Sequence, residues 1–290
     1  MSGRTRPILM THSLMKGQFR TIEQLREHYD IEKELADKLR CAPKEGRRYL
    51  YSSLYDELYL RVPHHPQLTN KSSPLKTAQV VSWQMKFLRR FLNKNIIFLE
   101  IGPGDCALSI EVTKFAKQVY AVDVSCEITK GLACPSNFHL VLSDGANVPV
   151  PQSSVGVAYS NQLMEHLHPD DALKQLKDIY NALIPGGRYI CITPNRLNGP
   201  HDISKYFDEV ATGFHLKEYT ISDLSSLFRK IGFSKVKSYV GANGIYISLP
   251  MYLFAWYETV LDNIPYKLRK TIVRILPFRL MLGIRLVGIK

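Results

Sequence analysis

The sequence predicts an α/β fold: a doubly wound, mostly parallel seven-stranded sheet whose last strand runs antiparallel. Three observations point there. Apolar strand-like runs alternate with amphipathic stretches of helical period through the middle of the chain. One run, Ile96-Ile-Phe-Leu-Glu-Ile101, has five apolar residues in six, the pattern of a parallel strand covered on both faces. It leads directly into Gly102-Pro-Gly104, where a missing Cβ lets the backbone turn and pass close to a ligand.

The elements follow in order. Residues 1–75 read as an N-terminal helical cap and linker. Thr21 caps a helix over 21–41 in which Leu25, Tyr29, Leu35 and Leu39 recur at helical spacing. A second helix covers 45–60, with Tyr51, Leu54, Tyr55 and Leu58 on one face, and the Pro- and His-containing 61–74 is a linker. The core, 76–248, opens with a helix over 76–93. Strands are expected at 96–101, 118–123, 138–143, 155–160, 187–193 and 234–240, with helices between them. The clearest helix spans 170–184, where Leu173, Leu176, Ile179 and Leu183 share a face and Pro185-Gly-Gly187 stops it. Another spans 221–231, with Thr220 and Asp223 as a capping box and Gly232 beyond its end. Residues 249–280 form a basic helical insertion of two helices broken near Pro265, and 281–290 return as the last strand, 283–289.

A chain of 290 residues with 45% hydrophobic and 22% charged residues can bury a large core. No run approaches the roughly 20 apolar residues of a membrane span, and no signal-peptide core follows Met1. Five cysteines without CxxC spacing argue against a disulfide framework and a zinc site, so a cytoplasmic protein is expected. The net charge of +12 is concentrated at the ends. Residues 1–80 carry 14 Lys/Arg against 9 Asp/Glu, and 251–290 carry 7 against 2. Such flanks suit an anionic partner, with an anionic membrane surface favoured over nucleic acid; simple solubilising charge explains them equally well.

The glycine turn alone allows two cofactors. Gly102, Gly104 and Ala107 fit the dinucleotide pattern GxGxxG/A, and an acid ending the second strand, Asp123, suits either cofactor's ribose. The run Glu100 to Cys106 also resembles motif I of the class I S-adenosylmethionine (SAM)-dependent methyltransferases, with Cys106 at the third glycine position. Ser143-Asp144-Gly145, Glu165-His166-Leu167 and Pro185-Gly-Gly187 follow strands three and four and precede strand five as they do in that family. The resemblance covers about 95–240 and is to its small-molecule branch, similar to ubiquinone-biosynthesis O-methyltransferases.

The resemblance implies a Rossmann-like fold, SAM as cofactor, and roles for particular residues. Gly102, Pro103 and Gly104 would pass under the methionine moiety, with Glu100 orienting the loop and the cofactor amine. Asp123 would bind the ribose, Val124 lie against adenine, Asp144 and Gly145 read its edge, and Asn161 flank the methionine end. The implied reaction is methyl transfer to an oxygen, less readily a nitrogen or carbon, of a small, lipid-linked or carbohydrate acceptor.

Methyl transfer from a sulfonium needs a base only if the acceptor must lose a proton. His166, His201 and His215 are the candidates, from imidazole chemistry and their places after strands four and five. Glu165, His166 and His168 do not form a convincing metal set, and none is expected. Tyr49, Tyr51, Tyr55 and Tyr59 either line a substrate pocket or serve as core of the cap, and 266–276 is either an interfacial helix or one packed on the domain. An NAD(P)-dependent oxidoreductase and a non-catalytic SAM-binding regulator or scaffold are the alternatives.

Overall fold

A computed structural model describes residues 20–69, 73–125 and 134–290. The expected linker residues Lys71 and Ser72, and Cys126, lie outside the described residues. The cap consists of α1 (Ile22–Cys41), α2 (Lys44–Arg61) and the short α3 (Pro66–Thr69). Thr21 accepts from the Gln24 amide, and the Gln24 side chain reciprocates, so the expected N-terminus is a full capping box. The core begins at α4 (Pro74–Leu88), then β1 (Ile97–Ile101), α5 (Ala107–Val112), β2 (Gln118–Asp123) and β3 (Phe138–Leu142). It continues through β4 (Val155–Asn161), α6 (Pro169–Ala182), β5 (Leu183–Thr193), α7 (Ile221–Ile231) and β6 (Lys235–Ala242).

The sheet has eight strands in the order β3-β2-β1-β4-β5-β8-β6-β7. Here β7 is Ile245–Leu249 and β8 is Ile284–Ile289. Strands β1 to β5 pair in parallel, while β8 runs antiparallel between β5 and β6. The eighth strand is β7, which turns back on β6 through Asn243-Gly244, both at positive φ. Its Ile245 and Ile247 face solvent, so it lacks the buried alternation by which a strand is recognised in sequence. The helix over 170–184 ends earlier, at Ala182, and Pro185-Gly-Gly187 lies inside β5 as an irregularity in its pairing with β4. Three helices, α8 (Met251–Asp262), α9 (Tyr266–Ile272) and α10 (Leu276–Met281), occupy the stretch expected to hold two.

Strand alternation divides the core. Phe98, Val119, Val157 and Tyr159 pack on one face with Phe87, Leu108 and Val112 of α4 and α5. Leu99, Ile101, Val122 and Ala158 pack on the other with α6, α7 and the cap residues Leu35, Leu39, Leu54 and Leu58. Strand order reverses between β1 and β4, so the loops leaving their carboxyl ends diverge and open a crevice, the place where open α/β sheets bind ligands.

Candidate active site

Two cavities meet at the glycine turn. One, of about 370 Å³, runs from Asp123, Val124, Ser143 and Gly145 past Gly102 and Gly104 to Leu163 and His166, roofed by Tyr51, Tyr55 and Tyr59. The other, of about 240 Å³, lies under α4 and is lined by Thr77, Gln84, Glu100, Gly102, Pro103, Gly104 and Asn161. Gly102 and Gly104 therefore form the ridge between them. Both adopt left-handed backbone, with φ of +65° and +57°. A Cβ on Gly102 would meet Leu163 at 3.1 Å, whereas one on Gly104 would stand in open cavity. Cys106, at the third glycine position, has φ of +57° and caps α5, so it holds the glycine conformation at some cost in strain. Gly145, φ +84°, comes so close to Tyr51 that its Cβ would meet that ring at 3.1 Å.

The site's acids differ in state. Glu100 is buried, accepts from the Ser109 hydroxyl, and is pushed by burial up to about 8. Asp123, at the end of β2, has its pKa raised by burial; its Oδ1 accepts from the Ser125 amide. Asp144 is placed otherwise than expected. Its carboxylate accepts from the amides of Ala146 and Asn147 and pairs with Arg48 at 3.2 Å, while Ser143 and Gly145 line the cavity.

A third, polar cavity of about 240 Å³ adjoins the first and shares Tyr55, Gln67 and His166 with it. Helix α1 makes its roof. Glu32 accepts from the Phe214 amide and from His28 Nε2, and Arg40 donates to the carbonyls of Thr212 and Gly213. These bonds strap the loop after β5 beneath the cap and bring His201, Asp202 and His215 to the wall. Tyr55 stacks on Phe214, with ring centroids 4.6 Å apart.

The three candidate bases converge here in different states. His166 Nδ1 lies 3.1 Å from the Phe214 carbonyl and 2.9 Å from the Tyr55 hydroxyl, and burial holds its pKa down at about 3, leaving it neutral. Burial likewise lowers the pKa of His201, whose Nε2 lies 2.8 Å from Asn198 Oδ1. His215 bonds Glu218 through Nδ1 at 2.7 Å; although burial opposes charge, that bond and nearby acids raise its pKa. Sequence reasoning missed His28, Glu32 and His65 of the cap, which share this cavity. The spacing of Leu25, Tyr29 and Leu35 marks α1 as a packed helix, and nothing local says what its polar face meets.

The residues lining the first two cavities fit an elongated nucleoside ligand. An acid lines each cavity, Asp123 the first and Glu100 the second, and the open side of Gly104 leaves room between them. The family model described as "Methyltransferase domain" matches residues 78–238. The chain belongs to the class I SAM-dependent methyltransferases. This membership decides between the two cofactors left open by the glycine turn in favour of SAM.

Relatives agree. The chain is 32% identical over 88 residues to a probable SAM-dependent methyltransferase of Mycolicibacterium smegmatis, a match covering 30% of the chain and 32% of that protein. It is 28% identical over 149 residues to an uncharacterized methyltransferase of Geobacillus kaustophilus, covering 48% and 69% respectively. The match thus spans about a third of the first relative's length. In fold the chain is similar to a SAM-dependent methyltransferase from Archaeoglobus fulgidus, at 16% identity and a TM-score of 0.50, covering 78% of this chain and 97% of that one. These matches name the family and not the ubiquinone-type branch.

Proposed function

We propose that the protein transfers a methyl group from SAM to an oxygen of a small acceptor whose reacting end enters the polar cavity. The observation that carries this reading is the shared wall: Tyr55 and His166 border both the cofactor cavity and the polar one. An acceptor there faces the methyl group across that wall, aligned and shielded from water. Asp123 would accept from the ribose hydroxyls, Ser143 and Gly145 would bound the adenine with Val124, and Glu100 and Asn161 would receive the methionine end beside Gly102 and Gly104.

When bound, SAM supplies an activated methyl whose leaving group departs as a neutral thioether. An acceptor hydroxyl that takes the methyl would have to shed its proton. His166 is placed to take it, being neutral, with Nδ1 directed to the Phe214 carbonyl and Nε2 left as acceptor. Incubating the protein with 13C-methyl SAM and a cell extract, then reading the product by mass spectrometry and 13C NMR, tests this. A methoxy or methyl-ester resonance is expected; an N-methyl or C-methyl product would overturn the oxygen assignment.

A specific surface favours a lipid-linked acceptor over a carbohydrate one. The exposed face of α8 presents Tyr252, Ala255, Trp256 and Val260 at helical spacing, with Tyr252 70% and Trp256 67% exposed. Beside it the run Arg274-Ile-Leu-Pro-Phe-Arg279 is exposed throughout. Apolar and aromatic side chains flanked by arginines match the interface of an anionic bilayer. Lys270 of α9 donates to the carbonyls of Asn198 and Gly199, in the loop that carries His201, so this surface adjoins the acceptor cavity. No described helix is long and apolar enough to cross a membrane, so contact of this kind is peripheral.

A further inference from the structure

His166, which borders both the cofactor and the acceptor cavity, has beside it His215 of the acceptor cavity and the buried Glu165, a grouping that could hold a metal. Glu165, His166 and His215 each bring one ligand atom to within 4.8 Å of the other two. Glu165 is fully buried, and its Oε1 has no hydrogen-bond partner. A buried carboxylate oxygen without a partner is left desolvated and uncompensated, and it calls for an occupant.

Other bonds of the trio resemble those that usually hold metal ligands in place. Glu165 Oε2 accepts from Thr193 at 2.8 Å. His215 has its Nδ1 on Glu218, and His166 its Nδ1 at the Phe214 carbonyl. Each ring therefore engages a carboxylate or carbonyl through Nδ1, and no partner among the described residues takes its Nε2. Outer bonds of this kind fix the tautomer and aim the other nitrogen at a metal. The rings stand perpendicular, with centroids 4.8 Å apart. Ligands on one cation with bonds near 2.1 Å lie about 3–3.4 Å apart, so closing on it takes a shift of no more than about 1.8 Å.

We propose that Glu165, His166 and His215 bind one divalent cation, of the Mn²⁺ or Zn²⁺ type, at the acceptor end of the active site. Two imidazoles and a carboxylate leave coordination positions open, as catalytic rather than structural sites do. His166 and His215 line the polar cavity, so those positions face the acceptor. The inference rests on the oxygen-acceptor reading and replaces its proton step: with Nε2 of His166 on the cation, the cation lowers the pKa of an acceptor hydroxyl and the proton passes to solvent, so His166 acts as base only in the cation-free protein. The adjacent group His28, Glu32 and His65 also converges. However, Glu32 already accepts from His28 and from the Phe214 amide, and His28 Nδ1 is bonded by Arg20, so that trio offers fewer free ligand atoms.

Equilibrium dialysis of the full chain against Mn²⁺ and against Zn²⁺, without acceptor, tests the site separately from the reaction. One equivalent of at least one of them should bind at micromolar concentration or tighter. Glu165→Gln and His215→Ala should weaken binding at least roughly 100-fold while sparing S-adenosylhomocysteine affinity, and His65→Ala should leave it unchanged. In the wild-type protein labelled with 15N-histidine, Zn²⁺ should shift the ring resonances of His166 and His215 and not those of His28 or His65. Absence of saturable binding, or binding that survives both substitutions or follows His65, overturns the site. A methylated oxygen from a protein that binds no cation would refute the metal alone, leaving the reaction.

Discussion

The joint between cap and core offers a direct test. Arg47 of α2 meets Asp171 in the first turn of α6 through two bonds, Nε to Oδ2 at 2.6 Å and Nη2 to Oδ1 at 3.0 Å. Their side chains are 5% and 2% exposed. Tyr51 donates to the same carboxylate at 2.8 Å and accepts from the His168 amide at 3.0 Å. Asp171→Asn keeps the shape and removes the charge, leaving a buried guanidinium without its counterion. Breaking such a pair costs about 3–5 kcal/mol; the amide oxygen keeps one bond, so about 3 kcal/mol is expected. That is a fall of roughly 150-fold in the folding constant, readable by urea unfolding.

Arg47→Met combined with Asp171→Leu should recover most of the loss, because apolar pairs replace buried ion pairs at little cost. Arg47 and Tyr51 hold the Asp171 carboxyl below its usual range despite burial. Its contribution is therefore complete above the unfolded pKa of about 3.9 and drains as pH falls through the depressed value, so the Asn variant should lack this acid-side loss. Tyr51 also covers Gly145, so S-adenosylhomocysteine should bind the variant more weakly. A single substitution costing under about 1 kcal/mol, or a double one costing the sum of both singles, would refute the account.

The remaining predictions concern the ligand sites and the surface. Asp123→Ala should weaken S-adenosylhomocysteine binding by about 1.5–3 kcal/mol through lost ribose bonds; unchanged affinity in calorimetry removes Asp123 from that role. Glu100 has a folded pKa, about 8, above its unfolded one, so apo stability should fall as pH rises from about 4.5 to 8. Glu100→Gln should then raise the apo melting temperature at pH 8 yet weaken cofactor binding, and parallel melting curves at pH 5 and 8 would contradict this. Vesicles rich in phosphatidylglycerol should sediment the protein, with added salt or Trp256→Ala with Phe278→Ala releasing it. Equal sedimentation with neutral vesicles, or self-association through this face instead, would sink the membrane reading.

Much of the fold is legible in the chain because each signal is local. Residues Gln118–Asp123 form a strand over the expected span, and the caps at Thr21 and Thr220 start helices where their side chains reach the first-turn amides. The glycine turn is legible for the same reason: left-handed backbone after a buried strand requires residues of that kind. Strand Ile245–Leu249 escapes because its outward isoleucines carry no alternation. The polar network of the cap escapes because partners such as Glu32 and Phe214 are 182 residues apart.

The sequence by itself determined seven of the sheet's eight strands, the glycine turn and, with its flanking motifs, a SAM-dependent family, all through short-range patterns of burial and backbone freedom. It pointed to Glu165, His166 and His168 as neighbours and gave no reason to join them. Tertiary structure groups them differently. His168 turns away to cap α6, its Nδ1 accepting from the Asp170 amide. His215 arrives beside Glu165 and His166 because α1 straps the loop after β5 beneath it. Ligand geometry is a matter of distance in space, and spacing along the chain fixes that only within one helix or strand.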